Sequence, residues 1–333
     1  YAPGIGMPAV REALARHAAR FYGQRLNPET DVLVTSGATE GVFAAILGLT
    51  DPGDEVIVFE PVYDTYVPNM VMAGVTPRYV PLRGENWTFD PDELANAFNR
   101  RTRAIIVNTP HNPTGKVYSR AELGVIAAQC RKHDVVAITD EVYEHILYDD
   151  ACHTRLATLP GMADRTVTIS SLGKTFSVTG WKIGWAVGSP SLINAVNQAH
   201  QFITYAVAPP LQAPAATALE LPFSFFENLQ VNYQARRDRV VAILENAGFK
   251  VFKPSGSYFV MIDWRGVAPA DVDDDFQFAR WLIRDVGVAC IPASPFYQDS
   301  DKHLGKYFAR FAVCKKDETL AAASDRLSQL ARP

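Results

Sequence analysis

The sequence feature that most constrains the fold is a regular alternation of short apolar runs with longer helical patterns through the first two thirds of the chain. These runs are rich in β-branched residues and have the length of strands. Strands that alternate with helices of ten or more residues form a parallel sheet with helices on both faces. The sequence therefore predicts an α/β fold with strands at residues 31–36, 55–59, 76–82, 104–108, 135–139, 166–170 and 183–187.

The pattern changes near residue 222, where a long helical pattern begins and continues to residue 247. The remainder contains an apolar segment at 258–262, a helix at 274–285, strands at 288–291 and 307–313, and a terminal helix from residue 317. This arrangement is typical of a smaller α+β unit. We therefore predict a large domain of residues 1–222 and a small C-terminal domain of residues 223–333.

Composition excludes several classes of partner. The formal net charge of −4 and the pI of about 6.0 provide no basic surface for nucleic acid or an anionic membrane. No apolar run approaches the roughly 20 residues of a membrane-spanning helix. The four cysteines form no C-x-x-C pair, which favours reduced thiols and a cytoplasmic location, and the seven histidines lack metal-binding spacing. We expect no nucleic-acid partner, no membrane and no metal.

Polar clusters follow five of the predicted strands, at residues 36–39, 60–63, 108–115, 140–143 and 171–174. In an open parallel sheet the carboxyl ends of the strands share one edge, and ligands bind outside that edge. Each cluster alone is compatible with an ordinary turn or helix N-terminus. All of them on one edge favour a single ligand site.

One of these clusters presents Lys174 close to the end of an apolar strand. A lysine in that position is unusual, because desolvation of its ammonium is costly. Ser171 precedes it by three residues and Lys182 follows it by eight, so a hydroxyl and a second cation can share one anion near its amine. Residues 173–175 also match the end of the phosphate-binding loop G-x-x-x-x-G-K-[ST], but Thr168 stands where that loop needs its first glycine. We reject that interpretation.

The segment G-K-T-F-S-V-T-G-W-K at residues 173–182 resembles the cofactor-lysine region of the fold-type I pyridoxal-phosphate aminotransferases, and more narrowly their kynurenine/glutamine/methionine branch. Residues 112–115 are similar to the family motif N-P-[TL]-G. The resemblance extends from Tyr1 to the C-terminal helix and implies a mainly parallel seven-stranded sheet between helices, followed by a smaller α+β domain. It also implies pyridoxal 5′-phosphate as cofactor, with an amino acid and a 2-oxo acid as substrates.

The resemblance assigns roles around the cofactor ring. It implies that Lys174 is catalytic, binding the cofactor covalently through its amine and then moving a proton. Asp140 is implied to pair with a protonated ring nitrogen, and a buried carboxylate does need a cation, although a helix-capping role is the plain alternative. Asn112 and Tyr143 are implied to bind the 3′-oxygen, and Tyr63 to stack on the ring.

Other positions are implied to bind phosphate and substrate. The implied phosphate contacts are Gly37, Ala38, Thr39, Ser171 and Lys182. Free N–H groups at the start of a helix near residue 37 suit an anion, and equally an ordinary helix N-terminus. Arg310 is implied to bind the substrate α-carboxylate together with Asn112, since a cation in the apolar run 307–313 needs an anionic ligand or a buried acidic side chain.

The resemblance further implies a homodimer. The family segment that matches residues 1–6 carries a tyrosine that binds the phosphate in the neighbouring subunit, so Tyr1 is expected to do the same. Tyr205 is implied to reach the partner subunit's substrate site. The family also has an N-terminal arm that closes over the site, and we expect this chain to lack that arm before residue 1.

These inferences predict a ping-pong aminotransferase that moves an amino group from a neutral or aromatic L-amino acid to a 2-oxo acid. The expected donors are of the glutamine, methionine, kynurenine and phenylalanine class, because Tyr205 offers an aromatic group and no arginine for a second carboxylate. Three alternatives remain open. They are an N-succinyl-diaminopimelate aminotransferase, a cysteine-S-conjugate β-lyase activity of the same site, and the effector domain of an aminotransferase-like transcription regulator.

Overall fold

The computed structural model describes residues 2–330, which form two β-sheets. The larger sheet consists of β1 (Val32–Ser36), β2 (Glu55–Glu60), β3 (Thr76–Pro81), β4 (Thr102–Asn108), β5 (Val136–Asp140), β6 (Thr166–Ser171) and β7 (Ile183–Val187). Their order is β1-β7-β6-β5-β4-β2-β3, with β7 antiparallel to both neighbours and the other pairs parallel. The mainly parallel seven-stranded sheet is therefore confirmed.

The smaller sheet lies in the C-terminal part of the chain. It consists of β8 (Lys250–Phe252), β9 (Phe259–Asp263), β10 (Ile291–Pro292) and β11 (Phe308–Ala312). The order is β10-β11-β9-β8, and all three pairs are antiparallel. A smaller α+β unit is thus confirmed. The division at residue 222 falls between the last strand of one sheet and the first of the other, and as a domain boundary it stays a prediction.

Twelve α-helices accompany the sheets within residues 2–330. They are α1 (Pro8–Tyr22), α2 (Gly37–Leu49), α3 (Tyr66–Met72), α4 (Pro91–Ala97), α5 (Arg120–His133), α6 (Leu172–Thr175), α7 (Pro190–Ile203), α8 (Pro209–Leu219), α9 (Phe223–Asn246), α10 (Asp275–Trp281), α11 (Lys302–Gly305) and α12 (Asp317–Leu327). None of these helices is long and apolar enough to cross a membrane.

Local sequence signals explain where two of the helices begin. Ser119 and Glu122 form a capping box at the start of α5, each side chain accepting a hydrogen bond from the other residue's backbone N–H. At α4 the Asp90 carboxylate accepts hydrogen bonds from the first-turn N–H groups of Asp92 and Glu93. Both helices therefore start at a residue whose side chain caps the first turn.

The larger sheet is buried on both faces. Ile105 of β4 belongs to a hydrophobic cluster with Ile126 of α5 on one face. The next residue, Ile106, belongs to a cluster with Ile46 of α2 on the other face. Successive side chains of a strand point in opposite directions, so a strand covered on both sides reads as a continuous apolar run.

In the small unit, β8 is not predicted from the sequence, and β10 overlaps the strand predicted at 288–291 only at Ile291. The larger unit departs from the sequence predictions in two regions. β7 is antiparallel because only 11 residues separate its first residue from the end of β6, whereas a parallel return needs a longer crossover. Helices α7 and α8 are not predicted from the sequence. Pro214 lies inside α8, and an internal proline normally argues against a helix.

A buried ionic network anchors the segment that follows β5. The Arg155 guanidinium lies 3.2 Å from Glu141 and 2.7 Å from Glu144, and His153 lies 2.8 Å from Glu141. Burial opposes the charge of Glu144, but Arg155 together with the neighbouring His145, His17 and Tyr22 outweighs it, and the pKa of Glu144 lies well below its ordinary value. The two carboxylates and His153 are close enough to hold a metal ion, but Arg155 already supplies their cation.

A buried histidine pair joins α1 to the same segment. His17 Nε2 lies 3.0 Å from His145 Nε2, so one ring donates the hydrogen bond and the other accepts it. Both rings pack against Phe226 of α9. Burial lowers the pKa of His17 to about 4 and that of His145 to about 3, so both rings are neutral near pH 7.

We expect Arg155→Met to lower the free energy of unfolding by about 3–5 kcal/mol, because it leaves two buried carboxylates without their cation. Arg165→Met is the matched control, since Arg165 pairs with Asp134, whose side chain is 91% exposed. That change should cost less than about 1 kcal/mol. Urea unfolding measures both, and equal losses in the two variants would show that the buried network contributes no more than a surface pair.

The histidine pair predicts a pH-dependent stability. A histidine with a lowered folded-state pKa stabilises the protein above its ordinary pKa of 6.5, and this contribution is lost as the pH falls towards 4. The stability advantage of the wild type over His17→Gln should therefore shrink between pH 7 and pH 5, by about 2 kcal/mol. The exposed His303→Gln change controls for removing a histidine from the unfolded chain. A constant wild-type advantage across this range would contradict the prediction.

Candidate active site

A cavity opens at the edge of the larger sheet where β1, β2, β4, β5 and β6 end. Because β7 is antiparallel, its first residues lie at the same edge, opposite the ends of β1 and β6. The space between its lining residues, including the part open to solvent, is about 640 Å³. Ten of the predicted site residues line it: Gly37, Ala38, Thr39, Tyr63, Asn112, Asp140, Tyr143, Ser171, Lys174 and Lys182.

One end of the cavity is suited to an anion. Gly37 has φ +73°, a conformation that glycine adopts without strain. Gly184 of β7 allows the start of α2 to approach closely, because a Cβ there would lie 2.4 Å from the carbonyl carbon of Gly37. Lys182 Nζ lies 3.4 Å from the position of a Cβ built on Gly37. A lysine amine beside the N-terminus of a 13-residue helix gives a favourable potential for an anion.

Lys174 lies on the wall between this end and the aromatic side of the cavity. The sequence predicts it near a strand end, and the structure places it on the short helix α6, which begins directly after β6. Its Nζ is 5.8 Å from the ring centroids of both Tyr143 and Tyr258. Ser171 precedes α6, and its hydroxyl makes no helix-capping hydrogen bond, so it remains available to a ligand.

Asp140 is a buried carboxylate at the end of β5. Its Oδ2 accepts a hydrogen bond of 2.6 Å from the Tyr66 hydroxyl, and its Oδ1 accepts one of 3.3 Å from the Val142 N–H. Within residues 2–330 it forms no ion pair. Burial raises the pKa of Asp140 above its ordinary value, against these hydrogen bonds and the charge of Lys174. A cationic group on a ligand would therefore stabilise its ionised form.

Two asparagines connect Asp140 to Arg310. Asn108 donates a hydrogen bond of 2.9 Å to the Asp140 carbonyl, and its own Oδ1 accepts one of 2.7 Å from the Asn112 N–H. Arg310 Nη1 then donates a bond of 2.6 Å to Asn112 Oδ1. This bond fixes the orientation of the Asn112 amide, which leaves Nδ2 as its donor group towards a ligand.

Arg310 is a half-buried cation with no acidic partner among the described residues. Its guanidinium lies 4.2 Å from the Phe259 ring centroid and 4.9 Å from that of Phe296. Burial lowers the pKa of Arg310, against the influence of Tyr143 and Asp64. The alternative of a buried Arg–Asp or Arg–Glu pair is therefore absent within residues 2–330, and the side chain can bind a ligand carboxylate.

The loop after β2 contacts the loop that carries Phe296. The Val62 N–H donates a hydrogen bond of 2.7 Å to the Phe296 carbonyl. The Glu60 carboxylate accepts one of 2.5 Å from the Gln298 N–H. Burial raises the pKa of Glu60 to about 7. These contacts hold the Tyr63 side of the cavity against the part of the small unit that flanks Arg310.

Three further residues contribute to the site without having been singled out from the sequence: Tyr66, Asn108 and Tyr258. Tyr66 follows Tyr63 by three residues, and Asn108 ends a predicted strand. Their positions in the sequence therefore indicated that both lie near the site. Tyr258 packs edge-on against Tyr143 with centroids 5.0 Å apart. No local pattern in the sequence indicates that contact.

Besides Arg310, which lies next to the cavity and contacts Asn112, two predicted site residues do not line it. Tyr205 lies in the turn after α7, with φ +68° and 55% exposure. Tyr1 lies outside the described residues. Neither role can be completed within one chain, and both stay predictions about a partner subunit.

Known proteins are similar to this chain in sequence and in fold. The family "Aminotransferase class I and II" matches residues 1–327. Kynurenine–oxoglutarate transaminase 3 of Bos taurus is 42% identical over 359 residues, which covers 100% of this chain and 78% of the relative.

Two solved structures are also similar. The N-succinyldiaminopimelate aminotransferase of Mycobacterium tuberculosis is 45% identical with a TM-score of 0.95, covering 99% of this chain and 85% of the other. An Escherichia coli protein with a methionine aminotransferase function is 36% identical with a TM-score of 0.94, also covering 99% and 85%. From the family match and these identities, the chain belongs to the class I and II aminotransferases, enzymes that transfer an amino group from an amino acid to a 2-oxo acid.

Proposed function

We propose that this aminotransferase uses pyridoxal 5′-phosphate and takes its amino group from a neutral or aromatic L-amino acid. The observation that carries the proposal is the charge arrangement of the cavity. It combines an anion site at Lys182 and the start of α2, an amine on Lys174, and a buried carboxylate on Asp140 that lacks a cation within residues 2–330. A phosphorylated pyridine aldehyde has the matching groups.

The donor set fits this cofactor. We propose that Gly37, Ala38, Thr39, Ser171 and Lys182 bind its phosphate, and that Asp140 pairs with its ring nitrogen. Asn112 Nδ2 and the Tyr143 hydroxyl are the proposed donors to its ring oxygen, and Tyr63 the residue that packs on the ring. When bound, pyridoxal phosphate supplies an aldehyde for the amino group and an aromatic ring that withdraws electrons from the substrate Cα–H bond.

The side chains divide the remaining work. Lys174 Nζ is the proposed base and acid that removes and returns the substrate Cα proton. Arg310 binds the α-carboxylate bidentately and so fixes the direction of the Cα–H bond relative to that amine. Asp140 keeps a proton on the ring nitrogen, because an uncompensated charge on a buried carboxylate is costly. Amino-acid and 2-oxo-acid substrates alternate at the same residues, which gives a ping-pong order.

The walls near Arg310 support a neutral donor. They include the rings of Phe259 and Phe296. Asp64 is the nearby acidic residue that acts on Arg310, and the residues lining the adjacent cavity provide no second arginine. A second carboxylate on the substrate would therefore lack a partner. The similarity to kynurenine and methionine aminotransferases supports the same class. The same site could also catalyse β-elimination from cysteine S-conjugates.

A second candidate is N-succinyl-diaminopimelate. It is favoured by the relative of Mycobacterium tuberculosis named probable N-succinyldiaminopimelate aminotransferase, which is 44% identical over 339 residues and covers 99% of this chain. This donor carries a further carboxylate, so its use would require a cation from outside the cavity described here.

We also propose a cytoplasmic homodimer. Phe202 at the end of α7 is 87% exposed and Tyr205 is 55% exposed, which is unusual for large apolar side chains so close together. The backbone of Gly4 lies against the Tyr205 carbonyl, so the segment that leads to Tyr1 borders the same surface. This arrangement supports a dimer in which Tyr205 and Tyr1 complete the partner's site. The four cysteines are free thiols, which suits a reducing compartment.

We expect Lys174→Ala to lower kcat for transamination by more than about a thousandfold, because it removes both the covalent attachment and the proton carrier. After incubation with pyridoxal phosphate and reduction with borohydride, peptide mass spectrometry should find the reduced cofactor on residue 174 of the wild type. The control in the same cavity is Lys182→Ala, which should keep this adduct while binding the cofactor more weakly. An active Lys174→Ala variant, or an adduct on another lysine of the wild type, would refute the assignment.

We expect kcat/KM with one fixed 2-oxo acid to be at least about tenfold higher for glutamine, methionine, phenylalanine or kynurenine than for aspartate, because a second carboxylate finds no cation. Initial rates across a donor panel measure this ratio. N-Succinyl-diaminopimelate belongs in the same panel. If it exceeds every neutral donor, the second candidate replaces the first.

A further inference from the structure

His200 is a buried histidine near the end of α7 that lies outside the cavity and is absent from the mechanism above. Its Nδ1 is 2.9 Å from Glu40 Oε1, and its Nε2 is 3.1 Å from the Gly4 carbonyl oxygen. Its own carbonyl accepts hydrogen bonds from the N–H groups of Thr204 and Tyr205. One residue thus contacts α2, the start of the chain and the turn that carries Tyr205.

The two partners of the ring determine its protonation. A carbonyl only accepts hydrogen bonds, so Nε2 carries a proton towards Gly4. One further proton is shared between Nδ1 and Glu40 Oε1, because an unprotonated ring nitrogen and a carboxylate oxygen are both acceptors and would repel each other at 2.9 Å. The other carboxylate oxygen, Oε2, accepts a bond of 2.8 Å from the Ser36 N–H. Whichever atom holds that proton, the Glu40–His200 pair carries no net charge. Burial opposes a charged ring, but Glu40 and the Gly4 carbonyl outweigh it and raise the pKa of His200.

The position of Glu40 makes this neutralisation important. Glu40 is the fourth residue of α2, and the three residues before it line the anion end of the cavity. An uncompensated carboxylate there would repel a phosphate and would itself interact with the positive end of the helix. Within residues 2–330, His200 is the cationic group that pairs with Glu40. Glu40 is also the charged side chain that faces His200 from the elements packed around it.

We propose that His200 is a positioning residue for the phosphate of the cofactor, acting by cancelling the charge of Glu40 beneath the turn that binds it. The proposal rests on the proposed use of pyridoxal phosphate. The Nε2–H group of His200 bonds to the Gly4 carbonyl, so His200 also fixes the position of the segment that leads to Tyr1 relative to the phosphate site. His200 itself touches neither cofactor nor substrate.

The test is a set of charge-removing variants of the full chain: His200→Asn, His200→Gln, Glu40→Gln, and Glu40→Gln combined with His200→Asn. The amide N–H of Asn can replace the hydrogen bond that Nδ1 makes with Glu40. The amide N–H of Gln can replace the bond that Nε2 donates to the Gly4 carbonyl. Both remove the positive charge. Each apoprotein is titrated with pyridoxal phosphate and with pyridoxal, which lacks the phosphate, and Kd is measured by absorbance.

We expect each His200 variant to bind pyridoxal phosphate roughly tenfold more weakly, with little change for pyridoxal, because only the phosphate experiences the exposed charge of Glu40. The double variant should return to within about threefold of the wild type, because its Glu40→Gln change removes that charge. Within one protein the ratio of the two Kd values is independent of the fraction that is folded.

The proposal would be overturned by a double variant that binds pyridoxal phosphate no more tightly than His200→Asn, or by an equal weakening of pyridoxal and pyridoxal phosphate binding. Either would indicate a structural role for the pair. Rescue by one amide alone would likewise assign the effect to a hydrogen bond rather than to charge. A wild-type apoprotein that binds pyridoxal phosphate no better than pyridoxal would instead refute the cofactor assignment, and this inference with it.

Discussion

The ion pairs of Arg155 with Glu141 and Glu144 are the interaction on which the site depends, because they hold the segment that follows β5. Asp140 and Tyr143 of that segment line the cavity, whereas the two glutamates between and beside them face Arg155. A segment with two carboxylates on its buried side is stable only with a cation there. Arg155 supplies it, and the opposite side of the segment is then free to present a carboxylate and a phenol to a ligand.

The cavity is organised by charge as much as by shape. Lys182 and the start of α2 lie at one end of the cavity, and Asp140 lies on its wall. Arg310 lies beside the cavity, where it contacts the wall residue Asn112. Arg310 and Asp140 each lack an ionic partner within residues 2–330, whereas the buried Glu141 and Glu144 pair with Arg155 and the buried Glu40 pairs with His200. Buried charges without partners are costly in a structure that has only to fold. Their presence at one sheet edge is the physical mark of a ligand that carries the complementary charges.

The family relationship and the fold do not by themselves decide the amino donor. Relatives of similar identity and TM-score include enzymes for kynurenine, methionine and N-succinyldiaminopimelate. In the proposed mechanism the cofactor site and the α-carboxylate site serve every donor alike. We propose that discrimination depends on the side chains around Phe259, Phe296 and Asp64, and on what the proposed partner subunit adds at Tyr205.

The sequence by itself determined the seven strands of the larger sheet and the order in which the polar residues follow them. Three features can be read from neighbouring residues alone: the apolar runs of the strands, the capping box at Ser119, and the polar cluster after each strand. They do not depend on how the elements pack against one another. The order also indicated that these clusters share one edge. Only the tertiary structure decided the antiparallel direction of β7 and the partners of each side chain.

The contacts of Asp140 with Tyr66, of Asn112 with Arg310, and of Glu40 with His200 span 74, 198 and 160 residues. Such pairs depend on which strands and helices become neighbours, and no periodicity along the chain encodes that choice.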